Sequence, residues 1–313
     1  MTGVQTCALP IYDVVITGAA PAGDDDGDGD NDGADTGNTG TCPAAQASTK
    51  PTGLDGTESL FASVPFPLGA AVSAYATTEE AARTTLDKNF NQVTPENFMK
   101  VEAWYDGPWQ FTTNNAEADA LMSWGAETGN RVYGHVLVWH SQTPDWFFQD
   151  DSGAFLTSSP EHQAIARERM RTHINNVAAY LHERYGDFGS ETNPLVAFDV
   201  VNEVVSDGAG TASNGLRTSY WYQILGEEFI DLAFRYADEA FNSTYAAPGT
   251  DRPVTLFINE YNTENGTGPG TKTQRYHALV ERLLARGVPV DGVGHQFRSE
   301  EHTSELQSLG AIS

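Results

Sequence analysis

Six short apolar runs, five of them closing on polar or aromatic residues and each separated from the next by an amphipathic stretch, constrain this chain more than any other feature. They are "PLGAAV" from Pro67, "FNQVTPEN" from Phe90, "RVYGHVLVWH" from Arg131, "VAFDVVNE" from Val196, "TLFINEYN" from Thr255 and "VDGVGHQF" from Val290. Runs apolar at successive positions suit strands covered on both faces, as in a parallel sheet flanked by helices. The stretches between them carry helix signals. "SSPEHQ" offers Ser158 or Ser159 as N-cap and Pro160 at the first helical position, and Ala166, Met170, Ile174, Val177 and Leu181 then share one face. A later stretch puts Tyr276, Leu279, Val280 and Leu283 on one stripe and stops at Gly287. Strand and helix in alternation predict an α/β fold with a parallel sheet. A closed (β/α)8 barrel needs eight such units, and about six are visible. A doubly wound open sheet could use six, but "PLGAAVSAY" does not fit its Gly-rich phosphate turn.

The part before Ser59 has a different character. "DDDGDGDNDGADTGNTG" has almost nothing to bury and reads as a solvated linker, and "YDVVITG" before it reads as the end of an upstream module. The spaced Asp residues lack the closing Glu of a calcium loop. Cys7 and Cys42 both precede the apolar runs, so no disulfide framework or thiolate metal site is expected. With 43 acidic residues against 17 basic ones, the net charge of -26 disfavours nucleic acid or an anionic membrane as partner. No apolar run approaches the roughly 20 residues needed to span a bilayer.

The chemistry collects at the C-terminal ends of the strands, the face that carries the active site when a sheet of this kind closes into a barrel. "FDVVNE" ends on Asn202 and Glu203, and a carboxyl at the rim of an apolar strand is partly desolvated, which favours its acting as a proton donor. "GHVLVWHSQTPDWF" adds His135, Trp139, His140, Gln142 and Trp146; alternation sets His135 and Trp139 on one side and His140 on the other. "TPENFMK" supplies Glu96, Asn97 and Lys100, a charged cluster costly to bury unless paired or facing a polar ligand. "INEYN" adds Asn259 to Asn262, and "GHQF" adds His295 and Gln296. Neither an H-E-x-x-H pattern nor a G-x-S-x-G elbow is present, so no metal, no cofactor and no Ser-His-Asp chemistry is indicated. A groove lined with carboxyl, amide, imidazole and indole suits neutral polyhydroxylated substrates.

Five of these segments, "TPENFMK", "GHVLVWHSQTPDWF", "FDVVNE", "LFINEYN" and "VDGVGHQF", resemble in order and separation the glycoside hydrolase family 10 endo-β-1,4-xylanases. The resemblance implies a (β/α)8 TIM barrel, incomplete here with about six units, and retaining hydrolysis of the xylan backbone by a secreted, extracellular parent protein. It implies that Glu203 is the acid/base, that Asn202 holds the sugar hydroxyl beside the cleaved bond, and that Glu96, Asn97, Lys100, His135, Trp139 and Gln296 bind sugar, with His140 in support. Phe98 and Val101 stand where relatives often have an acidic residue and Trp, and Glu260 where Asp is usual. Arg298 follows "GHQF" where His is usual, and the family's nucleophile, on a "TELD"-like strand further on, has no counterpart; Glu305 comes too soon after Gln296. The 298–308 segment reads as translated sequencing-library adapter, and residues 2–11 as the opposite strand of the same DNA. The expected organisation is adapter at 1–11, upstream module end and linker at 12–58, partial catalytic barrel at 59–297 and adapter at 298–313, a chain without its nucleophile and inactive as given. Two alternatives stay open: a non-catalytic carbohydrate-binding barrel, and a β-1,4-glucanase of a related barrel family.

Overall fold

The structure, a computed structural model, describes residues 59–208, 211–263 and 270–296. All six predicted strands form. After a short 3-10 turn, β1 (Gly69–Val72) leads through α1 (Tyr75–Thr78) and α2 (Glu80–Asn89) to β2 (Gln92–Pro95). A small antiparallel hairpin, β3 (Tyr105–Gly107) and β4 (Gln110–Phe111), precedes α3 (Ala116–Thr128) and β5 (Arg131–Val138). Then come α4 (Pro160–Tyr185), β6 (Leu195–Asn202), α5 (Tyr220–Leu225), α6 (Glu228–Glu239), β7 (Thr255–Tyr261), α7 (Lys272–Ala285) and β8 (Gly292–Gln296). The large strands pair in parallel in the order β1-β2-β5-β6-β7-β8, so each new strand adds beside the last. That is the winding of a (β/α) barrel, in which all strand C-termini open on one face.

The helix signals act as predicted. Ser159 caps α4 by accepting the His162 N–H at 3.3 Å, Pro160 occupies its first position, and Ala166, Met170, Ile174, Val177 and Leu181 are buried. In α7 the stripe Tyr276, Leu279, Val280 and Leu283 is buried and Gly287 follows at φ 64, the left-handed turn that glycine makes cheaply. The strands are shorter than their apolar runs: Phe90 and Asn91 precede β2, and β5 stops before Trp139.

On β5, β6 and β7 the residues facing the inside of the sheet form two layers. Tyr133, Ala197 and Phe257 make an apolar layer apart from the main core, with the Tyr133 and Phe257 rings 5.3 Å apart. Two residues further along each strand come His135, Asp199 and Asn259, a polar layer nearer the strand ends, because side chains at i and i+2 share a face. The close packing needs glycine at one point: a Cβ on Gly134 would lie 2.5 Å from the Phe198 ring.

Candidate active site

Glu203 is the first residue after β6 and the centre of the site. Its backbone sits at φ 56, in the left-handed region, which for a non-glycine residue costs about 1–3 kcal/mol and persists only where surroundings fix it. They do: its N–H donates to the Asn259 carbonyl at 2.8 Å, and its own carbonyl accepts from Arg217 Nε at 3.0 Å. The side chain is 9% exposed, and Oε2 accepts the Trp139 Nε1–H at 3.0 Å. Trp139 is in turn held by Trp221, whose Nε1–H donates to its carbonyl at 3.2 Å. Together with His140, Asn202 and Arg217, these three side chains line one pocket.

Asn202, at the end of β6, is buried, and its Oδ1 accepts from Gln296 Nε2 at 2.9 Å. Its Nδ2 has no hydrogen-bond partner among the described residues, so the amide is oriented by Gln296 with its donor left over. A buried donor in that state is costly unless a ligand uses it.

A second tier orients His135. Its Nδ1 lies 2.7 Å from Asp199 Oδ2, and since a carboxylate can only accept, Nδ1 is the donor and Nε2 is the nitrogen left for other partners. Asp199, 1% exposed, also accepts from the Tyr133 hydroxyl at 2.7 Å and from Asn259 Nδ2 at 3.2 Å. The His135 ring is 6.2 Å from Trp139, on the side that strand alternation predicts. At the end of β2, Asn97 Oδ1 accepts from Lys100 Nζ at 2.8 Å and the ammonium lies 5.2 Å from the Trp139 ring centroid. Gln142 joins this cluster, donating to Asn97 at 3.5 Å and to Glu102 at 2.9 Å. Glu96 is exposed at the rim, anchored through its backbone N–H to the Val72 carbonyl at 3.1 Å.

His140 departs from its expected orientation. It lines the same pocket as Glu203, not the opposite side, because β5 ends at Val138 and strand alternation no longer applies two residues later. Its ring, 5.7 Å from Trp139, keeps an exposed edge. Lost hydration, then the Arg217 and Lys272 cations, pull its pKa down to about 4 against the opposing Glu203 charge, so the imidazole is neutral at pH 7. Trp146 lies away from the pocket, packed on Tyr105 and Trp109 at 5.1 and 4.6 Å, and His295 bonds Thr263 at 2.7 Å.

Sequence reading missed the groups that brace these residues. Asp199 has a visible signal, an acid inside an apolar strand, but its three donors come from two other strands. Arg217, Lys272 and Asp207 have none, since they reach the site from loops and a helix start. Among the described residues no group of three or more His, Cys, Asp or Glu could hold a metal ion.

The glycosyl hydrolase family 10 profile matches residues 58–311. The chain belongs to that family. Endo-1,4-beta-xylanase A of Thermoanaerobacterium saccharolyticum is 38% identical over 233 residues, 74% of this chain and 18% of that protein. Exoglucanase XynX of Acetivibrio thermocellus is 38% identical over 234 residues, 74% of this chain and 19% of that protein. Among solved family 10 structures, the intracellular xylanase TsXylA from T. saccharolyticum superposes with a TM-score of 0.60 at 37% identity, covering 74% of this chain and 63% of that one. A substituted form of it in complex with xylotriose gives 0.62 at 36% identity, covering 76% and 65%. The chain thus spans about a fifth of the two curated relatives and just under two thirds of the solved one. Its six parallel strands, β1 to β8 without the hairpin, are the corresponding part of the family 10 barrel.

Proposed function

We propose that this chain carries the proton-donor side of a retaining endo-1,4-β-xylanase site. The observation that carries the reading is the Glu203 carboxyl, bonded to the Trp139 indole and set beside the unused Asn202 amide donor. In this reading Glu203 gives its proton to the leaving glycosidic oxygen, and the Trp139 N–H steadies the carboxylate that remains. Asn202 Nδ2 donates to the sugar hydroxyl next to the cleaved bond. His135 accepts from a hydroxyl through Nε2, Trp139 stacks on a sugar ring, and Glu96, Asn97, Lys100 and Gln296 bind the glycone. His140, neutral and beside Glu203, supports the pocket wall.

A retaining mechanism needs a second carboxyl about 5 Å from the first. The carboxyls braced around the same turn are already engaged: Glu260 by Lys272 and the Val205 N–H, and Asp207 by Lys272 and Tyr261, while Asp199 on β6 takes Tyr133, His135 and Asn259. That supports the expectation that this chain binds xylo-oligosaccharides without turning them over. Titration of the purified chain with xylotriose should give binding that Trp139→Ala weakens, and incubation with xylan should release no reducing ends. Release would overturn the missing-nucleophile reading; absence of binding would overturn the substrate class. The name exoglucanase XynX supports a β-1,4-glucan as second substrate, and cello-oligosaccharides in the same titration decide between them.

The organisation of the ends belongs to the same proposal. The family profile runs through 298–311, the stretch read as adapter, so sequencing genomic DNA across residues 297 and 298 is the test. An extracellular parent protein is also part of it; finding a signal sequence in a longer gene would support it, whereas one solved relative is described as intracellular.

A further inference from the structure

The reversal after β6 is braced from both sides. Arg217 Nε holds the Glu203 carbonyl at 3.0 Å, and two residues on, the Val205 N–H donates to Glu260 Oε2 at 2.8 Å. Glu260 is on β7 and fully buried. Its other oxygen accepts the Tyr261 N–H at 3.1 Å and faces Lys272 Nζ at 2.9 Å. Lys272 opens α7, is itself 8% exposed, and lies 2.9 Å from Asp207. Asp207 accepts the Tyr261 hydroxyl and sits 3.6 Å from Arg217, whose guanidinium also donates to that hydroxyl at 3.1 Å. A chain of alternating charge, Glu260, Lys272, Asp207 and Arg217, therefore ends at each side on the main chain that carries Glu203. Neutralising Lys272 would account for a buried carboxylate at position 260, but it does not require the bond to Val205.

We propose that Glu260 is a positioning residue: by holding the Val205 amide from β7, it fixes the turn that aims the Glu203 carboxylate at the Trp139 indole and into the groove. The importance of that aim rests on Glu203 being the proton donor, whereas the test reads only where its carboxylate is. A purely structural Glu260–Lys272 pair can be exchanged for two apolar side chains with fold and site both kept. A positioning Glu260 cannot.

The full chain, labelled with nitrogen-15, supplies the readout through the Trp139 indole N–H resonance, assigned with Trp139→Phe. Glu203→Gln gives the position of that resonance when the carboxylate is gone. Glu260→Asp keeps a charge opposite Lys272 but is one methylene short of the Val205 amide; the double variant Glu260→Met with Lys272→Met keeps volume without charge. Both should move the indole resonance at least half way to the Glu203→Gln position and speed hydrogen exchange at the Val205 amide. A wild-type indole resonance in folded Glu260→Asp overturns the proposal, and that variant decides alone where the double one does not fold. An indole unmoved by Glu203→Gln overturns it too, because the contact is then not made. Loss of the proton-donor assignment would leave all these resonances where they are, so the two readings fail separately.

Discussion

Replacing Asp199 separates the two ways a buried carboxylate can matter. Its side chain takes hydrogen bonds from Tyr133, His135 and Asn259 at 2.7, 2.7 and 3.2 Å. Tyr133 and Asn259 are at most 1% exposed, so Asp199→Ala deprives two fully buried donors of this acceptor. Each such loss costs about 1–3 kcal/mol, giving about 2–6 kcal/mol, while the part-exposed His135 ring can take water instead. Asp199→Asn behaves differently. With its oxygen in the Oδ2 position it still accepts from His135 and Asn259, while the Tyr133 hydroxyl accepts from the new amide and gives up this acceptor for its own proton. The losses are then that one acceptor, about 1–3 kcal/mol, and charge assistance on the other bonds, partly offset by removing a buried charge. Urea unfolding followed by tryptophan fluorescence should therefore give a lower midpoint for Asp199→Ala than for Asp199→Asn at similar slope. Equal midpoints for the two variants would refute the reasoning, because the damage would then come from the lost charge and not from the lost acceptors.

The remaining predictions concern pH, packing and binding. His173 is 2% exposed and burial pulls its pKa from 6.5 to about 3, so below pH 6.5 the unfolded chain takes a proton that the native one refuses; stability is lost on acidification, about 3 kcal/mol by pH 4.5. Glu260 acts in the opposite sense: burial, against Lys272, raises it from 4.5 to about 7, so its contribution is complete below pH 4.5 and lost as pH rises to 7, again by about 3 kcal/mol. Relative to wild type, His173→Phe should gain stability between pH 7 and 4.5 and Glu260→Gln should lose it, as read by urea midpoints at the two pH values; parallel behaviour would contradict both assignments. Gly134→Ala drives a Cβ to 2.5 Å from the Phe198 ring and should cost at least about 1–3 kcal/mol in the same measurement. Asn202→Ala removes the unused donor, worth about 0.5–1.5 kcal/mol, and should weaken xylotriose binding roughly two- to twelve-fold by calorimetry; it also takes the acceptor from the buried Gln296 amide, so the unfolding midpoint should fall as well.

The strands and the buried faces of the helices between them were legible because strand and helix periodicity are local: "VAFDVVNE" or "SSPEHQ" states its conformation within one element. For the same reason the strand-end residues Asn97, Lys100, His135, Trp139, Asn202, Glu203 and Gln296 could be named as one candidate set, and Asn97, Lys100 and Gln142 do meet at Trp139 while Gln296 meets Asn202. The side expected for His140 did not hold, because strand alternation applies only inside a strand and β5 had ended. The hairpin β3–β4 left no signal, being two and three residues long.

What the sequence by itself determined is the parallel α/β framework and which strand ends carry carboxyl, amide, imidazole and indole, since both follow from patterns a few residues long. Only the tertiary structure decided which of those groups touch. Trp139 reaches Glu203 across 64 residues of chain and Val205 reaches Glu260 across 55, and such pairings depend on sheet register and on where the loops return. Register and loop return are properties of the folded sheet as a whole, and no single segment encodes them.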